Sequence, residues 1–375
     1  MEELLKRDDQ PLLKKESIIS DLRLQIVGGE LSPGVQLPTR YELERTYGVS
    51  RDTVQRALDR LLEEEFVFTN GRRGTYVSKY PPHLSRYALV FATHPEEGVS
   101  AVGMNSWSRF EEALYQQALQ FPPTPMWRLS MYHGVGSTIN GEDYRRLEQE
   151  VINHRLAGLI FAFDPVSLRN TPLMQDDRVA RVAIVTSPTS VPEVTVSMFS
   201  FIDRALDFLA ARGRRRVAVL SHRESSFPDN VYLASGVAAR RMMMKRYWMQ
   251  TANVRTAASA DECVHLLMHP NQTERPDALI IDNDNLVEHA MRGLLAAGVR
   301  VPEDVEVVAH ANFPLQTNAL PVPLTRLGFD IRQIFNACFE SMSAQRQDKP
   351  VPSCLTVGAV FDTEVESEWP GCAAF

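Results

Sequence analysis

Cysteine is scarce in this 375-residue sequence, and long hydrophobic runs are missing. The four cysteines, at positions 263, 338, 354 and 372, form no CxxC pair, so we expect reduced thiols rather than disulfide bonds. The longest apolar runs, such as residues 88–92 and 159–163, are far shorter than the ~20 residues that cross a bilayer. The amino terminus lacks the apolar stretch of a secretory signal. These absences predict a globular protein of the cytoplasm, with two or three domains for this length.

The sequence also lacks the common motifs of nucleotide-binding and hydrolytic sites. There is no GxxxxGK[ST] and no GxSxG, and Gly-Val-Gly at 134–136 is too short for a dinucleotide fingerprint. Cys263, His265 and His269 share a predicted helix but lack a fourth ligand at suitable spacing, so a surface helix is the better interpretation. No nucleophile has a base at motif spacing. We therefore expect no enzyme activity, no metal and no cofactor.

The net charge of −7 argues against a nucleic-acid-binding protein, because such proteins usually carry a basic surface. The acidity is unevenly distributed, however. Residues 1–80 contain 13 basic and 14 acidic residues, a net charge of −1, so the other −6 lies in residues 81–375. If the protein binds DNA, this distribution favours the amino-terminal segment as the binding region.

Residues 17–62 predict three helices joined by short turns. Ser17 caps the first helix, which ends at the glycines 28 and 29. The run Thr39 to Glu42 is a capping box that begins the second helix. The second helix stops at Gly48, and Ser50 caps the third, whose apolar stripe faces a core.

The polar face of the third helix carries side chains that suit a DNA major groove. Gln55 and the arginines 51 and 56 can form paired hydrogen bonds with base edges, beside Asp52. Ser50 and Thr53 can reach phosphate oxygens at the amino end of the helix. An ordinary solvated face, with Asp52 and Arg56 as an ion pair one turn apart, is an equally weighted alternative.

The next segment predicts a hairpin with a basic tip. Residues 66–69 and 75–78 read as strands, and the Asn-Gly at 70–71 is a strong turn signal between them. Gly71 is followed by Arg72 and Arg73 without an acidic residue, and such a tip repels itself unless a polyanion meets it. This pattern predicts a DNA-binding wing.

Residues 15–77 resemble the GntR-type winged-helix DNA-binding domain. The resemblance is carried by three stretches in order: GELSPGVQLPT at 29–39, YGVSRDTV at 47–54 and GRRGTYV at 71–77. It implies that the recognition helix and the wing meet the operator, and the start of the second helix is assigned to the same interface. The implied DNA-binding residues are Thr39, Arg40, Tyr41, Ser50, Arg51, Asp52, Thr53, Gln55, Arg56, Gly71, Arg72 and Arg73. Tyr41 and Gln55 stand where the family usually or often has arginine, so the operator sequence is not carried over.

After residue 79 we predict a linker over residues 80–86, in which two prolines form a stiff, helix-hostile stretch. From residue 87 onward the chain alternates apolar strands with amphipathic helices, which is typical of a parallel sheet with helices on both faces. The predicted strands are 87–91, 158–163, 182–185, 216–220, 278–281 and 305–309. The predicted helices are 107–118, 144–154, 202–212 and 286–297.

Residues 86–375 resemble the effector domain of LacI/GalR regulators, which is similar to periplasmic sugar-binding proteins. The resemblance rests on RLAGLI at 155–160, LAARGRRRVAVL at 209–220, RPDALIIDND at 275–284, AAGVRVPEDVEVV at 296–308 and PLTRL at 323–327. It implies an α/β fold of two lobes with parallel sheets, crossovers near residues 198, 312 and 327, and a ligand cleft. We assign 87–197 and 313–326 to lobe 1, and 198–312 and 327–375 to lobe 2.

Polar residues after the predicted strands are candidates for ligand binding. They are Thr93, His94, Asp164, Ser187, Arg223, Asn283 and Asp284, with Trp107, Phe227 and Phe313 as rings that could stack on a ligand. By resemblance, Asp284 is the strongest of them, and the alternative is that the Asn-Asp pair caps the next helix. Leu233 and residues 310–312 depart from the family's polar ligand contacts. Three alternatives are therefore open: a less polar effector, contacts from Arg223 or Asp164, or no effector.

Taken together, these features predict a sequence-specific, DNA-binding transcription regulator, with repression as the default mode. We expect a homodimer on a near-palindromic double-stranded operator and control by a small-molecule effector, for which sugars are one candidate class. The alternative is a small-molecule binding protein or enzyme whose amino-terminal domain mediates assembly.

Overall fold

The computed structural model describes residues 2–95, 107–121, 124–136, 141–185, 188–222, 230–252, 258–315 and 323–365. The chain divides into two compact units. The first comprises Met1–Val90, Pro122–Phe161 and Pro165–Arg181, and the second comprises Phe91–Phe121, Ala162–Asp164 and Val182–Phe375. No helix in the described part of the chain is both long and apolar enough to cross a membrane.

The described residues form helices and strands in alternation after an all-helical start. The helices are α1 Glu2–Val27, α2 Arg40–Tyr47, α3 Arg51–Glu63, α4 Pro82–Ser85, α5 Arg109–Leu119, α6 Glu142–Ile152, α7 Pro172–Gln175, α8 Met198–Ala211, α9 Asn230–Ala239, α10 Ala258–Leu267, α11 Asp284–Ala296 and α12 Ile331–Arg346. The strands are β1 Val67–Thr69, β2 Thr75–Val77, β3 Arg86–Val90, β4 Arg128–Tyr132, β5 Gly158–Phe161, β6 Ala180–Ile184, β7 Glu193–Val196, β8 Val217–His222, β9 Met249–Ala252, β10 Ala278–Ile281, β11 Glu306–Phe313, β12 Thr325–Asp330, β13 Cys354–Val357 and β14 Val360–Phe361.

The amino-terminal part of the first unit is a winged helix. Apolar side chains of α1, α2, α3 and the β1–β2 hairpin share one buried core, centred on residues such as Leu22, Leu61 and Phe66. β1 and β2 pair in antiparallel register, with Val67 opposite Val77. This confirms the predicted winged helix-turn-helix fold. The first helix begins at Glu2 rather than at Ser17, because residues 2–16 are rich in the strong helix formers Glu, Leu and Lys.

The segment predicted as a linker contains a short helix. Pro82 occupies the first position of α4, where its missing N–H costs no helical hydrogen bond, so the proline is compatible with a helix start. Pro81 and Pro82 are both buried. The prediction that these prolines oppose helix formation was wrong for this turn.

The rest of the first unit is an α/β layer. β3 pairs in parallel with β4 on one side and with β5 on the other, with Tyr87 opposite Leu129 and Gly158. β4 was missed from the sequence because its residues alternate between exposed and partly buried, without a continuous apolar run.

The second unit contains two sets of paired strands. One sheet has the order β14-β12-β11-β10-β8-β9, in which only β14 is antiparallel to its neighbour. The other set pairs β7 in parallel with β6 and with β13. The buried faces of β8, β10 and β11 pack against α10 and α11 in one apolar core. The six predicted strands and four predicted helices of the α/β part are all present, with ends shifted by a few residues.

The strand pairing differs from the predicted lobe boundaries near the carboxyl terminus. β12, which begins inside the segment assigned to lobe 1, lies beside β11 in the same sheet as β10. β13, in the segment assigned to lobe 2, lies beside β7 instead. Most of β12, residues 327–330, falls in the segment assigned to lobe 2, in agreement with its pairing with β11. The pairing of β13 with β7 departs from the assignment, because the local sequence does not determine the neighbour with which a strand pairs.

Candidate DNA interface and effector site

The amino end of α3 is built by a helix cap. Ser50 adopts an extended conformation, and its Oγ accepts a hydrogen bond from the Thr53 backbone N–H at 3.3 Å and lies 2.9 Å from Thr53 Oγ1. Both hydroxyls are therefore engaged with each other at the helix start. The positive end of the helix dipole also lies here, which favours an anion such as phosphate.

Two of the side chains that were predicted to contact bases, those of Gln55 and Arg56, instead contact other residues of α3. Arg56 forms an ion pair with Asp52 at 2.9 Å, and both side chains are 70% exposed. Gln55 donates a hydrogen bond from Nε2 to Asp59 Oδ1 at 2.6 Å. The Arg56–Asp52 ion pair is the one expected in the alternative interpretation of this helix as an ordinary solvated face. Both side chains remain exposed to solvent. Such exposed pairs are worth under about 1 kcal/mol, so a base edge can displace them.

The start of α2 presents a second exposed surface. Thr39 and Glu42 form the predicted capping box, with the Glu42 carboxylate 2.7 Å from the Thr39 backbone nitrogen. These hydrogen bonds from Thr39 hold the pKa of Glu42 below its usual 4.5. Arg40 is exposed, and Tyr41 exposes 68% of its surface, a large fraction for an aromatic ring.

The wing tip is a single turn of 3-10 helix over residues 71–73. Gly71 has φ 53°, a left-handed conformation that favours glycine, and Arg72 and Arg73 are exposed. The turn is fixed from below, since the carbonyl oxygen of Arg73 accepts hydrogen bonds from Gln36 Nε2 at 3.0 Å and from Tyr76 Oη at 3.2 Å. Gln36 lies in the stretch GELSPGVQLPT at 29–39, but it was assigned no role of its own from the sequence.

Several arginines on this surface have no acidic partner among the described residues. Within the part of the chain that the structure describes, the guanidinium groups of Arg40, Arg51, Arg72 and Arg73 form no ion pair and no hydrogen bond. By contrast, Arg23 and Arg60 of the same domain are paired with Glu64. The twelve predicted DNA-binding residues thus lie on elements that share one core, and four of their cations are available to an external anion.

In the second unit, Asn283 and Asp284 have different roles. Asn283 is the cap of α11, and its side chain accepts a hydrogen bond from the Asn285 backbone N–H at 3.0 Å. Asp284 is 6% exposed and is not the cap. Its Oδ2 accepts hydrogen bonds from Asn312 Nδ2 at 2.8 Å and from Arg109 Nε at 3.3 Å. The carboxylate is therefore buried and directed toward α5 and the end of β11.

Two buried polar atoms beside Asp284 have no hydrogen-bond partner among the described residues. They are His310 Nδ1, which lies 4.0 Å from Asp284 Oδ1, and Asn312 Oδ1. Burial lowers the pKa of His310, although the nearby Asp284 charge opposes that shift, so the ring is neutral near pH 7. Because buried polar atoms are normally paired, this cluster can accept a hydroxyl-bearing ligand. Arg109 was not identified from the sequence, because it lies in a segment with the pattern of an amphipathic surface helix.

The other predicted ligand residues lie in varied surroundings. Trp107 is half-buried; its ring lies 4.9 Å from that of Phe91, and its Nε1 donates to Glu112 at 2.6 Å. His94 and Asp164 are exposed, and Phe313 is buried. Thr93 is buried and donates to Glu111 at 3.3 Å. Ser187, Arg223 and Phe227 lie outside the described residues.

A metal site is not apparent in the described ranges, since no three His, Cys, Asp or Glu side chains group closely enough to hold an ion.

Two segments of the chain match models of known protein families. Residues 14–77 match the family described as bacterial regulatory proteins, gntR family, and residues 206–359 match a periplasmic binding protein-like domain. The HTH-type transcriptional repressor NagR of Bacillus subtilis is 38% identical over 92 residues, which are 24% of this chain and 37% of that protein. The match thus spans well under half of that relative.

Two further matches extend over most of the chain. The arabinose metabolism transcriptional repressor of Geobacillus stearothermophilus is 22% identical over 331 residues, covering 80% of this chain and 82% of that protein. The crystal structure of a LacI family transcriptional regulator from Arthrobacter sp. FB24, in complex with lactose, has a TM-score of 0.52 at 17% identity and covers 74% of this chain and 97% of its own. The chain therefore consists of an amino-terminal domain of the GntR family of bacterial regulatory proteins followed by a periplasmic binding protein-like domain with the two-lobed fold of LacI-type regulators.

Proposed function

We propose that this protein is a sequence-specific transcription regulator, a repressor that acts on DNA in the cytoplasm under the control of a small-molecule effector. The observation that carries the proposal is the surface formed by the start of α2, the start of α3 and the wing. It combines four exposed arginines, which have no partner within the described ranges, with two capped helix starts. Cations and helix amino ends bind phosphates, and exposed polar side chains on α3 read base edges.

The division of labour among these residues follows from their geometry. Arg72 and Arg73 are suited to contact the DNA backbone or the minor groove beside α3. Gln36 and Tyr76 bind the backbone carbonyl of the turn and leave the two guanidinium groups exposed. Arg51, Gln55 and Arg56 are placed to reach bases. On binding, Arg56 would exchange Asp52 for DNA, and Gln55 would exchange Asp59. One winged helix has few phosphate contacts, so we propose that two copies bind a near-palindromic site as a homodimer.

A mobility shift on double-stranded DNA tests this function. The full chain is mixed with the duplex upstream of its own gene and with a random duplex pool, at low and at physiological salt. We expect a selected sequence with two related half-sites. Absence of any complex at low salt would refute DNA binding and favour the alternative in which the amino-terminal domain mediates assembly.

The effector site that we propose is the cluster of Asp284, Arg109, His310 and Asn312. A buried carboxylate beside two polar atoms that have no partner among the residues described suits a polyhydroxylated ligand, because hydroxyl groups both donate and accept. A sugar is the class that we propose, supported by the names of the arabinose metabolism repressor and of the lactose-bound LacI-type neighbour. Repression relieved by that ligand is the default direction.

Substitution of Asp284 separates ligand binding from helix capping. In Asp284→Asn the charge-assisted hydrogen bonds are lost, and effector affinity is expected to fall about 10- to 100-fold while operator affinity without effector is unchanged. A thermal-shift screen of pentoses, hexoses and disaccharides identifies the ligand first. Asn283→Ala is the matched control: it removes the cap and lowers stability but keeps the response. An unaltered dose response in Asp284→Asn would remove this residue from the site.

A further inference from the structure

Two adjacent glutamates follow the last turn of the recognition helix. Glu64 is the carboxyl-terminal cap of α3, and its side chain is only 3% exposed. Glu65 comes next with φ 65°, in the left-handed region where glycine or asparagine is favoured. The backbone of a glutamate in this conformation is strained, and such strain persists only where surrounding contacts stabilise it.

Glu65 contacts two arginines from the strands of the α/β layer. Its two oxygens accept hydrogen bonds from Arg128 Nη1 on β4 at 2.9 and 2.8 Å, and Oε2 lies 3.1 Å from Arg86 Nη2 on β3. Burial raises the pKa of this carboxyl, but the hydrogen bonds from the two arginines hold it below its usual 4.5. Glu65 is therefore ionised and paired across the first unit.

Glu64 extends the same contact into the interior. It pairs with Arg23 of α1 and, at 2.9 Å, with Arg60 of α3, while Arg155, just after α6, lies 3.6 Å away. Arg23 in turn donates from Nη1 to Asn153 Oδ1 at 2.9 Å. A buried carboxylate is tolerated only with such partners. The charges of α1 and α3 are thus joined directly to the end of α6.

Residues 80–86, which connect the winged helix to β3, are also packed against neighbouring side chains. Pro81 and Pro82 are buried, and the His83 ring stacks on Phe66 with centroids 6.0 Å apart and planes at 12°. Residues 80–86 are therefore packed against the winged helix and are not a flexible linker. The ion pairs of Glu64 and Glu65 add to this packed connection.

From these contacts we infer that Glu64 and Glu65 are positioning residues that clamp the carboxyl end of the recognition helix to β3, β4 and the end of α6. We call this group, together with Arg86, Arg128, Asn153 and Arg155, the ionic clamp. The clamp fixes the direction of α3 relative to the strands that follow it. In a DNA-bound dimer it sets the spacing of the two recognition helices, a consequence that rests on the proposed function.

The clamp is tested from its α/β side, so that the winged-helix sequence is untouched. The variant carries Arg128→Ala, Asn153→Ala and Arg155→Ala; Glu64 keeps Arg23 and Arg60 as partners. Glu65→Asn is the complementary variant, because asparagine tolerates the left-handed conformation but cannot pair with the arginines. Arg145→Ala, an exposed residue of α6, is the matched control.

The first measurement needs no DNA. In the full-length, isotope-labelled chain, amides of residues 14–77 should relax at the same transverse rate as amides of β3, β4 and β5, which belong to the same unit. In the triple variant and in Glu65→Asn, we expect residues 14–77 to lose this shared rate and to relax more slowly, as a segment with its own motion. Retention of the shared rate in both variants would overturn the clamp.

The second measurement uses the operator selected by the wild-type chain. A spacer lengthened by five base pairs, half a helical turn, should weaken wild-type binding strongly. In Glu65→Asn, which loses the partly exposed pairs with Arg86 and Arg128, this discrimination should fall about tenfold, with single half-site affinity unchanged. The triple variant, which loses Arg128 and Arg155, should reduce the discrimination at least as far. Undiminished discrimination would contradict the inference. If the wild-type chain binds no DNA, the proposed function fails, and the relaxation measurement still decides the clamp.

Discussion

Removal of the wing arginine Arg72 offers the sharpest test of the DNA interface. Its side chain is exposed and, among the described residues, has neither an ion pair nor a hydrogen bond, so Arg72→Ala changes no internal contact. Each phosphate contact contributes about −0.9 to the slope of log affinity against log salt for duplex DNA. Between 50 and 200 mM salt, one contact therefore corresponds to about a 3.5-fold change in affinity.

A homodimer loses this contact in both wings. We therefore expect the slope of Arg72→Ala to flatten by about 1.8 and the affinity ratio between the two salt concentrations to shrink about 12-fold. Fluorescence anisotropy titrations of the selected operator at five or more salt concentrations measure the slope directly. Arg145→Ala, exposed on α6, is the control and should keep the wild-type slope.

The companion variant Arg51→Ala separates phosphate from base contacts. If Arg51 reads a base, its loss weakens the selected operator by about 1–3 kcal/mol while nonspecific binding and the salt slope stay nearly constant. A wild-type slope in Arg72→Ala, together with unchanged specificity in Arg51→Ala, would refute the assignment of this surface to DNA.

Three further predictions concern stability. Ser50→Ala removes the cap of α3 and should lower the free energy of unfolding by about 1 kcal/mol in denaturant titrations, whereas Ser50→Asn should not. Gly328→Ala should cost about 3 kcal/mol or more, because a β-carbon there would lie 1.8 Å from the Ala311 carbonyl oxygen; Gly358→Ala, with its nearest contact at 3.6 Å, should be nearly neutral. Burial lowers the pKa of His310 below 6.5, so the unfolded chain binds a proton that the folded chain excludes. Stability should therefore be complete above about pH 6.5 and fall as the pH drops below it, and His310→Gln should reduce that fall; an equal fall in the variant would contradict the assignment.

The local devices of the DNA-binding domain were predictable because each is encoded within a few residues. The Thr39 capping box, the Ser50 cap and the glycine at the wing tip all depend on interactions spanning three to five residues, and all three are present. The apolar runs of β5, β8 and β10 were predictable for the same reason. The neighbour of each strand was not predictable: β13 lies in the segment assigned to lobe 2, but it pairs with β7, which lies in the segment assigned to lobe 1.

The candidate effector site was only partly predictable. Asp284 was identified by resemblance, but its hydrogen bond with Arg109 joins residues 175 positions apart in the sequence. An arginine near the start of an amphipathic helix carries no signal that distinguishes an exposed side chain from one bonded to a buried carboxylate. The same holds for Glu64, which reads as one of three surface glutamates and is almost completely buried.

The sequence by itself determined the kinds of structure in this protein: a capped helix-turn-helix, a basic hairpin and an alternating α/β chain, because helix caps, turn residues and apolar periodicity act over short distances. The tertiary structure alone decided which charges meet. Ion pairs such as Glu65 with Arg128 and hydrogen bonds such as Asp284 with Asn312 depend on where distant segments pack. Their energy comes from burial and geometry, which no local pattern of residues encodes.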